Sequence, residues 1–444
     1  MKTLYRYLSF LLLCALVLTL PAYSAGASAY YGDEPETVST CDLLYEVGSG
    51  QILFEKNIYD KAYPASTTKI MTALLALENC ELDEIVTVTA EAWTGIDRNS
   101  SIAGLSTGEC MPLSDMLVCL LVASGNEAAN AIAIHVGGTI EDFVAMMNTR
   151  AEELGCKNTN FVNPSGLHNE NHYTCAYDLL QITLAAKAYD AFEGIVSQAR
   201  ATVAPTNKCE TERKFNNTNL LLSNTSTSEY LYSKATGVKT GYTTPAGYCL
   251  VSSAKNDELE FVCVVLGGMN VMRDNGTEVN GCYRDTLRLY RWGYEQFQVV
   301  KILSDGEIIT EAPVQQAKDI DHILLEATAD VYTVLHRGQD KNQIFTSITT
   351  VNENLTAPIE KGEVLGTLML YKDGQFYTSC DLVASSPALR SELLSQYSRL
   401  KQSLQNSNVR FALTAFVLLI VGYVVFVIFY NSWRKKHPRH RRKK

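Results

Sequence analysis

Pro64-Ala-Ser-Thr-Thr-Lys-Ile-Met-Thr-Ala-Leu-Leu-Ala-Leu77 decides how the rest of the chain is read. Ile70, Met71, Leu74, Leu75 and Leu77 cover nearly the whole circumference of a helix, the pattern of a helix packed inside a large domain. Ser66 and Lys69 stand at its start, three residues apart, so they share one face and their side chains can meet. A serine hydroxyl is a weak nucleophile until a base takes its proton. A lysine serves as that base when burial and a neighbouring cation lower its pKa. A serine at a helix start also turns its own backbone N–H toward a developing oxyanion. Ser-x-x-Lys recurs at Ser252 and Lys255, Ser398 and Lys401, and Ser432 and Lys435. Spacing alone therefore does not single out Ser66; the apolar helix and the motifs downstream do.

Two further motifs follow in order. Ser124-Gly-Asn126 is the only Ser-x-Asn in the chain and falls at a break between helical stretches, where side chains can turn into a cleft. Lys239-Thr-Gly241 precedes a strand-like run at 247–253. An edge strand bearing lysine and threonine can hold a substrate carboxylate, and Gly241 lets a substrate backbone come close.

Around these motifs the chain reads as alternating blocks. Residues 41–47 and 51–55 form a hairpin about Gly48-Ser-Gly50. Helices are expected over 113–123, 126–136, 140–154 and 178–188, with Asn163-Pro-Ser-Gly166 as a turn between them. Strands at 247–253 and 260–266 follow, then a closing helix over 286–297. This order predicts an α+β domain over 41–297: an antiparallel sheet flanked by helices, with a helical subdomain. Short β-branched runs between Gly, Asp and Asn turns make 298–385 a small all-β domain, and 387–410 carries leucines at helical spacing, a juxtamembrane stalk.

Ser-x-x-Lys, Ser-x-Asn and Lys-Thr-Gly in this order resemble the active-site set of penicillin-binding proteins and serine β-lactamases. Ser124-Gly-Asn-Glu-Ala-Ala129, Phe161-Val-Asn-Pro-Ser-Gly-Leu167, Gly237-Val-Lys-Thr-Gly-Tyr-Thr243 and Leu355-Thr-Ala-Pro-Ile-Glu-Lys-Gly362 narrow the resemblance. They look like the low-molecular-mass, serine-type D-alanyl-D-alanine carboxypeptidases, the peptidase S11-like family, across 41–385. The resemblance implies a β-lactamase/transpeptidase-like fold and a serine peptidase acting on peptidoglycan stem peptides that end in D-Ala-D-Ala. It also implies roles. Ser66 attacks, Lys69 takes its proton, and Ser124 relays a proton to the leaving amine. Asn126 holds the substrate amide and Lys69, Lys239 keeps the site electropositive, and Thr240 binds the substrate carboxylate beside Gly241. The backbone N–H groups of Ser66 and Tyr242 form the oxyanion hole, and β-lactams trap Ser66. No metal or cofactor is implied. Members usually carry an arginine about ten residues before the aromatic of the closing helix. Counting back from Trp292 lands on Cys282, leaving Arg284 or Arg273 to meet the carboxylate, with a surface-helix role open for Arg284.

Composition agrees with an exported, anchored protein. Lys2 and Arg6 precede an apolar run at 8–20 and small residues suited to cleavage after Ala27 or Ala29, a secretion signal over 1–29. Residues 411–430 contain no charge and are long enough to cross a bilayer. The basic tail at 431–444 then marks the cytoplasmic side, so a single C-terminal span leaves the body on the wall side of a bacterial membrane. The body at 7–433 carries a formal charge of -20, which argues against nucleic-acid binding. Of the twelve cysteines, eleven follow the signal, and none are spaced C-x-x-C. His168-Asn-Glu-Asn-His172 reads as a loop with structural histidines, because Pro164 and Gly166 exclude a metalloprotease helix.

Two rival readings remain at this level. A serine β-lactamase needs a base for deacylation, and no Glu-x-x-Leu-Asn precedes Lys239. A catalytically idle β-lactam- or wall-binding protein would not need all of the polar groups retained here.

Overall fold

The computed structural model describes residues 34–97, 100–273 and 276–436. The expected secretion signal and the last eight residues of the basic tail lie outside the described residues. The chain divides into two compact units, the first running to Glu295 and the second from Gln296, with the turns at 46–51 and 255–261 grouped with the second.

The first unit is built on strands β1 (Cys41–Glu46), β2 (Gln51–Lys56), β3 (Ala235–Thr243), β4 (Gly247–Lys255) and β5 (Glu260–Gly268). They form one sheet in the order β2-β1-β5-β4-β3. Phe261, Val262, Cys263, Val264, Val265 and Leu266 are all fully buried, so β5 is covered on both faces and reads as an unbroken apolar run. At the sheet's edge β3 runs antiparallel to β4, with Lys239 opposite Val251 and Thr240 opposite Leu250.

Helices α1 (Lys69–Asn79), α2 (Leu113–Leu121), α3 (Asn126–Gly137), α4 (Ile140–Glu153), α5 (Ala176–Lys187) and α6 (Asp190–Val196) make the helical block, and α7 (Gly281–Gln296) closes the domain. Every residue of α1 from Lys69 to Ala76 is buried. Its apolar circumference is thus matched by packing on all sides, and each fully buried Ile, Met or Leu contributes roughly 1.5–3 kcal/mol. Ser66 is not inside this helix: Ala65–Thr68 forms a 3-10 turn and α1 begins at Lys69.

Helix α7 starts at 281 rather than 286, because the Asn280 side chain accepts the Cys282 N–H at 3.0 Å and caps the first turn. Its Asp285 takes the backbone N–H groups of Val38 and Ser39 at 2.9 and 2.8 Å and the Ser39 hydroxyl at 2.7 Å, fixing the helix to the lead into β1. Further along, Tyr290 meets Ser252 of β4 at 2.8 Å, and Trp292 packs edge-on to Phe54 of β2.

The second unit holds a five-stranded sheet in the order Ile308–Pro313, His322–Ala327, Gln375–Ala384, Val364–Lys372, Phe345–Val351. Ile323, Leu325, Leu368, Leu382 and Ala384 centre its core. Asp373 and Gly374, both at positive φ, make the tight hairpin turn between its two longest strands. A helix at Glu392–Gln405 is capped by Ser391 and ends at Asn406, whose backbone is extended. The final helix, Ser407–Lys436, carries over 407–433 a stretch long and apolar enough to cross a membrane.

Candidate active site

Three segments of the first unit supply the expected polar groups: the 65–68 turn, the break before α3, and edge strand β3. They surround a cleft of about 510 Å³ lined by Ser66, Ser124, Asn126, Thr240, Gly241 and Tyr242. Lys69 and Lys239 are fully buried and are not among its lining residues.

Lys69 Nζ donates to Ser66 Oγ at 2.9 Å, Asn126 Oδ1 at 2.7 Å and the Ser165 carbonyl at 2.8 Å. The two last partners can only accept. An unprotonated amine therefore keeps its two N–H bonds on them and turns its lone pair toward Ser66 Oγ. Burial first, and the charge of Lys239 second, hold the Lys69 pKa well below its ordinary value, against a smaller opposing pull from Glu127. Lys239 is lowered by its own burial to about 7, and its ammonium donates to the Thr240 carbonyl at 3.0 Å. The pair of buried lysines thus forms a base and a cation whose pKa values are both displaced toward the working range.

Ser124 takes a left-handed backbone, φ +63°, which is costly for a residue with a side chain. It is held there because the Gly125 N–H reaches Cys119 O and the Asn126 N–H reaches Ser101 O, each at 2.9 Å. Buried Glu127 secures the facing loop by accepting the N–H groups of Ala103 at 2.6 Å and Gly104 at 2.9 Å on one carboxylate oxygen. On β3, a Cβ added to Gly241 would stand 2.8 Å from Ser66 N. Gly241 lines the cleft, and its missing side chain also lets the nucleophile's turn approach the strand.

Several contributors to the site carry no motif in the sequence. The sequence shows the Asn163-Pro-Ser-Gly166 turn, and the fold makes its Ser165 carbonyl an acceptor for Lys69. Gly166 packs so tightly that a Cβ there would lie 1.8 Å from Ala65 O. His172 is buried behind the same turn. Its Nδ1 accepts the Val162 N–H at 3.1 Å, so Nε2 carries the proton and donates to Thr68 Oγ1 at 2.8 Å. Thr68 passes its own hydrogen to Ala65 O at 2.9 Å, beside the positive φ of Ala65. Burial first, then His168 and Lys69, lower the His172 pKa to about 4 and keep the ring neutral. Thr218 meets Thr240 hydroxyl to hydroxyl at 2.7 Å, and Tyr283 and Cys282 complete the cleft wall.

Arg284 is not brought to the cleft. Cys282 and Tyr283 of α7 line it, whereas Arg284 lies about 200° around the helix from Cys282, at about 100° per residue. Arg273 pairs with Glu229 and is likewise absent from the lining.

The family profile described as D-alanyl-D-alanine carboxypeptidase (Peptidase S11) matches residues 30–270, and that of the penicillin-binding protein 5 C-terminal domain matches 297–387. D-alanyl-D-alanine carboxypeptidase DacF of Bacillus subtilis is 32% identical over 394 residues, covering 87% of this chain and 94% of the relative. DacC of Escherichia coli is 32% identical over 372 residues, covering 81% of this chain and 86% of the relative. The crystal structure of penicillin-binding protein 5 from Haemophilus influenzae, 29% identical, superposes with a TM-score of 0.60 over 80% of this chain and 99% of that one. Sequence match, superposition and the gathering of three separated motifs into one cleft agree that the chain belongs to the Peptidase S11 family of D-alanyl-D-alanine carboxypeptidases.

Proposed function

We propose that this chain removes the terminal D-alanine from peptidoglycan stem peptides through an acyl-enzyme on Ser66. One observation carries the assignment to these residues: Lys69 is buried, lowered in pKa, and left with a single free direction, toward Ser66 Oγ. In acylation, Ser66 Oγ bonds to the carbonyl carbon of the penultimate D-alanine while its proton passes to Lys69 Nζ. The oxyanion falls between the backbone N–H groups of Ser66 and Tyr242. Collapse breaks the peptide bond, and a proton reaches the leaving amine through Ser124, releasing D-alanine. Water, deprotonated by the same lysine, then cleaves the ester, and Ser66 recovers its hydrogen.

The terminal carboxylate is assigned to the Thr240 side, where Thr218 orients the hydroxyl and the Lys239 charge lies behind it. The same groups would accept a β-lactam, which acylates Ser66 without supplying a leaving group that diffuses away. In the cell, the final helix would anchor the chain by a single span with its tail in the cytoplasm and the cleft on the wall side.

Incubating the detergent-solubilised full chain with benzylpenicillin and mapping the adduct by mass spectrometry tests this assignment. A penicilloyl group on the peptide containing Ser66 is expected. An adduct on any other residue, or none, would contradict it.

A further inference from the structure

On the surface of the first unit, far along the helices from the cleft, three side chains of different chemistry converge. Cys80 follows the last residue of α1, Glu84 lies in the loop after it, and His135 is in the last turn of α3. One ligand atom from each lies within 4.8 Å of the other two, and His135 Nε2 stands 3.4 Å from Glu84 Oε2. That separation is long for an N–H···O bond. It matches a tetrahedral zinc site, where bonds of about 2.0–2.3 Å set the donor atoms about 3.3–3.8 Å apart. We propose that Cys80, Glu84 and His135 bind one divalent transition metal ion, zinc by its mixed sulfur, nitrogen and oxygen donors, with solvent in the fourth position.

The loop is fixed in the required shape before any ion arrives. Glu84 Oε1 accepts the Glu81 N–H at 2.6 Å, which leaves Oε2 directed at His135. The loop carbonyls of Leu82 and Glu84 accept the N–H groups of Ser114 and Leu113 at 2.9 and 2.8 Å, anchoring the loop to the start of α2. Cys80 and His135 are half-buried and the Glu84 side chain is exposed, so an ion has a path in. Glu81 and Asp83 add negative charge to the same loop. Burial first and then Glu84 push the Cys80 thiol up, so binding releases its proton: the S–H bond breaks, a sulfur–metal bond forms, and H⁺ leaves to solvent.

The placement also gives the ion a mechanical role. Helices α1 and α3 begin at Lys69 and Asn126, which are joined at 2.7 Å beside the cleft, and Cys80 and His135 stand at their far ends. A bound metal would therefore tie together the far ends of the two helices that carry the base and its partner.

The test uses the EDTA-treated full chain in detergent, free of any histidine tag, titrated with Co²⁺. One equivalent is expected to give a saturable thiolate-to-cobalt band and to raise Tm. Cys80→Ser should abolish the band, and His135→Ala should weaken binding at least tenfold. Cys110→Ser, which removes another partly exposed thiol, should change neither. Unaltered Tm in EDTA and unaltered penicillin labelling show that each variant is folded. No saturable band in the wild type, or a band that survives Cys80→Ser or disappears in Cys110→Ser, would overturn the proposal.

Discussion

Gly241 and Ser66 are so close that a Cβ on the glycine would stand 2.8 Å from the serine's backbone nitrogen, with Ala65 Cβ and Pro64 O each 3.0 Å away. All three obstacles belong to the turn that aims the nucleophile, and two of them are backbone atoms. Gly241→Ala is therefore expected to displace Ser66 by a few tenths of an ångström while leaving the sheet intact. Acylation by a fluorescent penicillin should slow by about 10²-fold, with Tm lowered by only a few degrees. Unchanged acylation would mean that β3 does not set the position of the turn.

Lys69 can act as a base only if it can lose its proton. Lys69→Arg keeps N–H donors near Asn126 and the Ser165 carbonyl but substitutes a group that stays protonated. Single-turnover acylation should fall by about 10²–10⁴-fold, the usual worth of a positioned base. A variant that acylates at the wild-type rate would assign the base elsewhere.

The two lysines set opposite limbs of the pH profile. Lys69 must be neutral and its pKa is well below the ordinary value, so its limb lies on the acid side. Lys239 must be charged and titrates at about 7, so kcat/KM should fall as pH rises through the neutral range. A bound carboxylate favours the ammonium, which moves the alkaline limb of kcat to higher pH than that of kcat/KM. Lys239→Arg should remove that limb from both profiles. Stopped initial-rate measurements between pH 5 and 10 would reveal it (pH limits on the order of the titrating range).

His172 links stability to pH. Its folded pKa of about 4 lies below the ordinary 6.5, so between these values the unfolded chain binds the proton more readily. Its contribution is complete above the unfolded pKa and is lost as pH falls through about 4, a change on the order of 3 kcal/mol. Asp42, raised to about 6 mainly by burial, changes stability in the opposite sense over an overlapping window, but it is common to wild type and His172→Gln and cancels between them. Denaturant unfolding should show the gap between the two proteins narrowing from pH 7 toward pH 4, near the ends of that window. A constant gap would show that folding does not lower the pKa of His172.

Much of this site is legible in the sequence because its side chains sit in short motifs. Ser66 and Lys69 are joined by local chain geometry, and the apolar run after them requires burial, which lowers the lysine. The arrangement of Lys69 with Asn126 and Ser165 is not legible in the same way, since it depends on how α3 and a glycine turn pack against α1. Ser165 contributes a carbonyl, and no side-chain pattern announces that. His172 carries no motif of its own; its role comes from burial behind Thr68. The start of α7 at 281 is not legible because its cap is the Asn280 side chain, in a run of polar residues without helical periodicity. Counting along the chain reaches Cys282, and helical rotation takes the nearby Arg284 away from the cleft. Helix α2 and most of α3 separate His135 from Cys80 and Glu84, so only the fold brings the three within reach.

The most direct measurement is free D-alanine released by the full chain in detergent from a peptide ending in D-Ala-D-Ala, with Ser66→Ala alongside. Release by the wild type that disappears in the variant is the expected result. Equal release by both proteins would contradict the acyl-enzyme on Ser66 and with it the central claim.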